Sequence, residues 1–423
     1  MHPKIGKSSW PLLPLSTIAE EVRELYEPVI GENFPYIGLE HIEQGSLALC
    51  GTGLSSETQS TKKMFRAGDI LFGTLRPYFR KVVRAKFDGV CSTDITVIRA
   101  IENMDRDFLF YFIANHPFIQ YATSSSSGTR MPRAKWSHLS TIEWNVPTAG
   151  DRKKIAAIVS TYDNLIENNL RRIKILEEMA QTLYREWFVK FRFPGHQMVK
   201  MVDSPLGKIP EGWEVTTLND VLATLESGLR PKGGIDPEAR GVPSIGAENI
   251  IGLGRYDYSK EKFVTREFFG NMNRGHIQSG DVLLYKDGAQ IGRKSMFRDG
   301  FPHAECCINE HVFIMRTNER CNQNYLFFWL DQPEMTQNII NLNANAAQPG
   351  INQSGVRGLP ILLPPAPLLE KAEQILEPML GALFSCAKRN NILRQTRDLL
   401  LPKLISGELD VSELDINVPE ANA

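Results

Sequence analysis

Apolar residues set two different rhythms along this chain. Between 151 and 191 there is neither proline nor glycine, and Ile158, Tyr162, Leu165, Ile173, Leu176, Ala180, Leu183 and Trp187 recur at spacings built from threes and fours. That rhythm keeps one helix face apolar and predicts a coiled-coil seam. Asn169 falls on the seam, where a buried amide costs stability but fixes register. A second seam, Leu376, Leu380, Leu383, Leu393, Leu400 and Leu404, contains Pro378, which predicts a kink or a late helix start. Two matching seams in one chain favour antiparallel pairing with each other over packing of each helix on its own globule. Ahead of each seam the rhythm shortens. Asp94-Ile95-Thr96-Val97-Ile98 and His311-Val312-Phe313-Ile314-Met315 read as strands, and the aromatic stretches 107–121 and 324–340 read as helices.

These parts repeat in order. Tyr36-Ile37-Gly38-Leu39-Glu40-His41-Ile42 resembles Ser244-Ile245-Gly246-Ala247-Glu248-Asn249-Ile250, and Gly68-Asp69-Ile70-Leu71 returns as Gly280-Asp281-Val282-Leu283. Phe108-Leu109-Phe110-Tyr111-Phe112 returns as Tyr325-Leu326-Phe327-Phe328-Trp329, and Val146-Pro147 as Leu363-Pro364. The offsets run 208, 212, 217 and 217, drifting upward as loop lengths diverge. A period this long means one duplicated domain rather than a solenoid. The expected class is α+β, with an internal pseudo-twofold repeat: two similar globules and two long helices forming an antiparallel coiled coil. The expected order is a first globule over 1–150, a central helix over 151–193 and a turn-rich linker over 194–212. A second globule over 213–366, a distal helix over 367–409 and a flexible tail over 410–423 complete it.

Composition narrows the class. With 42% hydrophobic and 23% charged residues in 423, the chain is neither disordered nor fibrous. Lys+Arg 48 against Asp+Glu 49 leaves a net charge of -1, whereas a freestanding non-specific nucleic-acid binder is usually basic. Any nucleic-acid role must therefore rest on local patches or on a partner. The cysteines at 50, 91, 306, 307, 321 and 386 show no metal-ligand spacing and suit a reducing compartment. No apolar run is long enough to span a bilayer, so a cytoplasmic protein without membrane contact is expected.

Catalytic signatures are missing. The segment from Gly288 to Ser295 has the wrong spacing for a phosphate-cradling loop, and no methyltransferase, zinc or Gly-x-Ser-x-Gly pattern occurs. Asp151-Arg152-Lys153, the one Asp-x-Lys, sits where an aspartate naturally caps a helix. The expectation is a non-catalytic chain that holds no metal or cofactor of its own.

Positive signals lie in loops. Arg76, Tyr78, Arg80 and Lys81 follow the Gly68-Asp69-Ile70-Leu71 strand, and guanidinium forks beside an aromatic suit phosphates or guanine edges. A solvated strand face is the alternative. The second copy places Lys286, Gln290, Arg293 and Lys294 at the corresponding turn. A Ser-rich loop carries Thr129, Arg130 and Arg133, and its counterpart carries Gln348, Asn352 and Gln353, donors suited to base edges unless they are ordinary solubilising turns. Tyr184, Trp187, Phe188 and Phe191 form an aromatic cluster rimmed by basic residues, which suits either a protein interface or the cap of a core.

Three strings bring a family into view: Leu183-Tyr184-Arg185-Glu186-Trp187-Phe188, the run from Asp203 to Val215, and the run from Leu401 to Leu409. With the paired Gly-Asp turns, they make the chain resemble, over nearly its whole length, the specificity subunit of type I restriction-modification systems. Pro378 and the basic-poor stretch 368–385 depart from the pattern and leave the extent of the second helix open. The resemblance implies two target-recognition domains, each reading half of an asymmetric, bipartite site in double-stranded DNA. The coiled coil would act as a spacer and dock two modification subunits, which use S-adenosylmethionine to methylate adenine. Two restriction subunits would add ATP- and magnesium-dependent translocation and cleavage. A specificity subunit of a methyltransferase-only or fused-type system, or a duplicated coiled-coil adaptor that binds protein alone, is the alternative.

Overall fold

A computed structural model describes residues 7, 9–29, 31–128, 130–235, 240–288, 290–343 and 350–416. The chain forms two compact units, Met1–Ile166 with Ile392–Ala423, and Glu167–Asn391. Among the described residues no helix is long and apolar enough to cross a membrane.

In the first unit an antiparallel sheet orders the strands Ala19–Val22, Ile95–Ala100, Ile70–Gly73 and Val82–Arg84. In the second unit the same order returns as Leu222–Ser227, Val312–Thr317, Asp281–Tyr285 and Lys294–Phe297. A second sheet in each unit, of five strands in the first and three in the second, contains one parallel pair, Pro35–Ile37 beside Gly89–Cys91 and Val242–Ile245 beside Cys307–Ile308. Each unit is closed by a strand pair, Leu12–Pro14 with Glu143–Asn145 and Glu214–Thr217 with Pro360–Leu363.

The duplication extends to single hydrogen bonds. Arg99 forks onto the buried carboxylate of Asp69 with two bonds of 2.7 Å, and Arg316 does the same to Asp281 at 2.6 and 2.7 Å. Asp105 and Asn322 cap the aromatic helices through Phe108 N–H and Tyr325 N–H, both at 2.7 Å. Those stretches, expected as single helices, are each two: Arg106–Ala114 and His116–Ser124, then Gln323–Asp331 and Pro333–Asn341. Pro333 explains the second break, because a proline disfavours helical backbone in the residue just before it, whereas Pro117 sits in the first turn of its helix and the first break falls at Asn115, two residues ahead of it. Asn115 and Gln332 are extended, with ψ of 144° and 140°.

The first long helix runs Ala149–Tyr184, continues as a π-turn over Arg185–Val189, and stops where Phe191 adopts a φ of 57°. The second runs over Ala366–Ser406 and includes Pro378, so of the kink or late start expected from that proline the late start does not occur. Gly407 ends it at φ 72°, where a Cβ would lie 2.6 Å from Lys7 Cγ. In the first unit Ile155, Ala156 and Val159 share a core with Leu401, Leu404 and Ile405, and Asp163 meets Arg397 at 2.6 Å. In the second unit Ile173 and Ala180 share a core with Leu376, Leu380 and Leu383, while Asn169 Nδ2 donates to Asn390 Oδ1 at 2.9 Å, both side chains buried. Rising numbers on one helix meet falling numbers on the other, so the helices pair antiparallel within each unit. The buried face differs from the expected seam over the first half of the helix: Leu165 is exposed and Ile158 and Tyr162 are half-buried, while Ile155, Val159 and Ile166 are buried.

Two boundaries change. The expected linker folds into a hairpin, Met201–Ser204 with Gly207–Pro210, anchored by buried Ile209. The expected tail is packed at its start: Val411 lies in the first core, and Lys154 Nζ donates to the carbonyls of Val411 and Ser412 at 3.3 and 2.7 Å. Residues 417–423 lie outside the described residues.

Candidate nucleic-acid interface

In each unit the two basic or amide-rich loops singled out above meet edge to edge. In the first, Arg76 N–H donates to Pro132 O at 2.8 Å, Ala134 N–H donates to Thr74 O at 3.0 Å, and Leu75 bridges Arg133. In the second, Ile351 N–H donates to Lys286 O at 2.8 Å and Asp287 bridges Gly350. The stitching is equivalent, because Thr74 N–H to Asp94 O (2.9 Å) matches Lys286 N–H to His311 O (3.1 Å). Backbone pairing of this kind leaves side chains on the loop surface.

Those side chains differ between the units. Arg76, Tyr78 and Arg130 are exposed in the first. Arg133 is also exposed and is aimed by Asp94, whose Oδ1 accepts from its Nη2 at 2.8 Å. Lys81 is half-buried and donates to Leu39 O. In the second unit Gln290, Arg293 and Gln353 are exposed. Lys286 lies over the Phe313 ring and pairs with Asp287 at 3.0 Å. Asn352 is exposed, but its Oδ1 already accepts from Gly355 N–H at 2.7 Å, capping a short helix. Thr129 and Gln348 lie outside the described residues.

Two of the expected contact residues point inward. Arg80 is 6% exposed, with Nε donating to Ala114 O at 2.8 Å and Nη2 to Asp398 Oδ1 at 3.2 Å. Lys294 is 8% exposed, with Nζ 2.8 Å from Thr336 Oγ1 and 3.5 Å from Asp331 Oδ1. Burial pulls Lys294 below the ordinary lysine range and pushes Asp331 above the ordinary carboxylate range. Neither cation can reach a base edge from there, so both leave the contact set.

The sequence also gave no warning of a concavity of about 440 Å³ in the second unit, lined in part by Arg230, Arg240, Lys262 and His311. Glu261 and Glu310 line it as well, Glu310 pairing with Arg230 at 3.3 Å, and its charged residues come from separate strands and loops, so no run of charge reveals them.

Two members of the aromatic cluster, Tyr184 and Phe188, are interior, and Trp187 and Phe191 are half-buried. Tyr184 and Phe188 are 0% and 2% exposed, packed on Tyr325 with ring centroids 5.4 and 5.0 Å away. Phe191 stands edge-on to Trp213 at 5.2 Å, and Trp187 is half-buried against the same core. At the recurring offset of 217, Tyr184 and Phe188 correspond to Leu401 and Ile405, which are equally buried in the first unit. Tyr184 and Phe188 therefore close a core and present no surface to a partner. The surplus of aromatics that suggested an interface is absorbed by Trp213 and Tyr325, distant in sequence.

Two copies of one α+β scaffold, each presenting a different pair of stitched loops, define a duplicated recognition protein. The sequence profile of the type I restriction modification DNA specificity domain matches residues 29–178 and again 210–384. The chain belongs to that family, as a specificity subunit of type I restriction-modification systems. It is 26% identical over 413 residues to the type I restriction enzyme MjaIX specificity subunit of Methanocaldococcus jannaschii, covering 94% of this chain and 91% of that one. It is 22% identical to the HindI specificity subunit of Haemophilus influenzae, covering 95% of this chain and 100% of that one. The crystal structure of the type I restriction-modification system S subunit from M. genitalium shares the fold, with a TM-score of 0.53 at 15% identity over 96% of this chain and 99% of that one.

Proposed function

We propose that the chain reads an asymmetric, bipartite sequence in double-stranded DNA, one half per unit, and performs no chemistry itself. The observation that carries this reading is the pair of equivalent loop stitches presenting unlike side chains: Arg76, Tyr78, Arg130 and Arg133 in one unit, Gln290, Arg293 and Gln353 in the other. Guanidinium groups suit guanine edges and carboxamides suit adenine edges, so unlike loops imply unlike half-sites. The antiparallel helices set the gap between the halves and dock two modification subunits. Those partners use S-adenosylmethionine to methylate an adenine in each half, and two restriction subunits use ATP and magnesium to translocate and cut. Much of the phosphate neutralisation that drives DNA affinity then comes from partners, which accommodates a net charge of -1.

The test is to coexpress the chain with a modification subunit and map methylated adenines across a genome. The expected result is one motif with two different halves and a fixed gap, altered in one half alone by Arg76→Ala. A single uninterrupted motif, or methylation without sequence preference, overturns the reading.

A further inference from the structure

The repeat aligns Arg76 and Arg80 with Gly288 and Gly292, each 212 residues further on. All four have left-handed backbone: φ is 52° and 49° at the arginines, 85° and 90° at the glycines. Glycine takes that conformation without steric cost, whereas a side chain with a Cβ is disfavoured there. An unfavourable backbone persists where surrounding contacts hold it, and such residues cluster at functional sites. Arg76 is exposed on the reading surface. Arg80 is not, so its side chain must have another task.

Its contacts show one. The Arg80 fork joins the end of the recognition loop to Ala114 O, at the end of the aromatic helix, and to Asp398 on the second long helix. Asp398 also meets Arg397, whose Nη1 pairs with Asp163 at 2.6 Å, and Asp163 accepts from Tyr111 Oη at 2.8 Å. The second unit has glycine at the position of Arg80 and a cation two residues later. Lys294 reaches Asp331, which also accepts from Gln181 Nε2 at 3.4 Å. Asp331 occupies the repeat position of Ala114, and Gln181 that of Asp398, both at the offset of 217. Each loop is thus tied by a buried cation to the same helix end and the same turn of a long helix, through different residues.

We propose that Arg80 and Lys294 are positioning residues that latch each recognition loop to its long helix, and so set the pose from which Arg76 and Tyr78, or Gln290 and Arg293, meet the bases. The proposal rests on the DNA-reading function above. It adds that discrimination between bases depends on groups that never touch DNA.

The experiment uses the full chain assembled with its modification subunit. Arg80→Met and Lys294→Met remove the charge, Asp398→Asn loosens the first latch at constant shape, and Arg80→Lys restores a cation. For each, thermal unfolding is recorded together with competition binding against DNA altered in either half. Arg80→Met and Asp398→Asn should reduce discrimination at one half by tenfold or more and leave the other half unchanged, and Arg80→Lys should lose less than Arg80→Met. Lys294→Met should do the same at the opposite half. If Arg80→Met does not fold, Asp398→Asn and Arg80→Lys carry the test. Equal losses at both halves, or intact discrimination in the folded Asp398→Asn and Lys294→Met proteins, overturns the latch. A wild-type complex that shows no sequence preference instead sinks the DNA-reading function.

Discussion

The first unit places arginines where the second has glycines, and all four positions take positive φ. Elsewhere the two units agree down to the fork of one arginine on one buried aspartate and the cap of one helix. The difference teaches where each kind of constraint acts. Positions that orient the sheet and the helix start keep the same chemistry in both copies, because a buried polar group left unpaired is costly. Positions on the stitched loops diverge freely, since the backbone hydrogen bonds that hold them are indifferent to side chains. One scaffold can therefore serve two recognition surfaces.

The largest effect should come from the helix ends that close each core. Phe188→Ala should destabilise the second unit by about 3–5 kcal/mol, the usual cost of deleting a buried aromatic ring. Native-state hydrogen exchange should show the loss in the second unit while the first unit's sheet keeps its protection. The counterpart Ile405→Ala should reverse that pattern at about 2–5 kcal/mol. Unchanged stability in Phe188→Ala with loss of complex assembly would return the aromatic to the interface role.

Next come the matched ion pairs. Asp69→Ala strands the Arg99 guanidinium, and Asp281→Ala strands that of Arg316. Because each guanidinium keeps solvent contact, breaking the pair from one side should cost about 1–3 kcal/mol, less than stranding a fully buried charge. Chemical denaturation of the two variants should give losses of similar size, because the geometries agree within 0.1 Å. A loss in one unit without the other would show that the duplicated pair no longer does duplicated work.

Much of this architecture was legible. The repeat could be read because Gly68-Asp69 and Gly280-Asp281 mark a tight turn and a buried carboxylate that both copies need, and sequence strings preserve such demands. Asn169 was legible as a seam amide because helical spacing fixes its face, and it meets Asn390 as that spacing requires. Side-chain direction was not legible. Arg76 and Arg80 sit four residues apart in one basic run, yet one faces solvent and the other the core, with a 3₁₀ turn, Pro77–Phe79, between two αL residues. The partners that decide the matter, Ala114 and Asp398, are 34 and 318 residues away. The aromatic cluster stayed open between interface and core for the same reason: the burial of Tyr184 and Phe188 depends on Trp213 and Tyr325, which no local window contains.

A smaller effect should separate the two reading surfaces. Arg76→Ala removes an exposed guanidinium and should cost about 1–3 kcal/mol of base discrimination in one half-site. Arg293→Ala should act on the other half alone. Binding to DNA substituted in each half, at fixed salt, measures both. A uniform weakening across all sequences would mean that the arginine holds a phosphate rather than a base.

The smallest effect concerns acid, at a corner that is a 3₁₀ turn, Leu15–Thr17, in the first unit and a short α-helix, Leu218–Val221, in the second. Leu15 N–H donates to Ile142 O and Leu218 N–H to Leu359 O, so Thr17 and Asp220 occupy equivalent places two residues on. Thr17 does not titrate. Asp220 accepts from the hydroxyls of Thr216 and Thr217 and from Thr217 N–H, which hold its carboxyl down to about 2. A carboxylate depressed in the folded state stabilises it above its ordinary range near 4, and that contribution is lost as pH falls through about 2. Asp220 is solvent-exposed, so the change should be modest and confined to the strand pair Glu214–Thr217 with Pro360–Leu363. Hydrogen exchange at those residues should rise between pH 4 and pH 2 relative to the first unit's matching pair, Leu12–Pro14 with Glu143–Asn145, after correction for intrinsic rates. Asp220→Asn should remove that pH dependence, because its amide can still accept from the same donors but cannot be protonated in this range. If the two strand pairs loosen together, the acid response belongs to the scaffold shared by both units and not to Asp220.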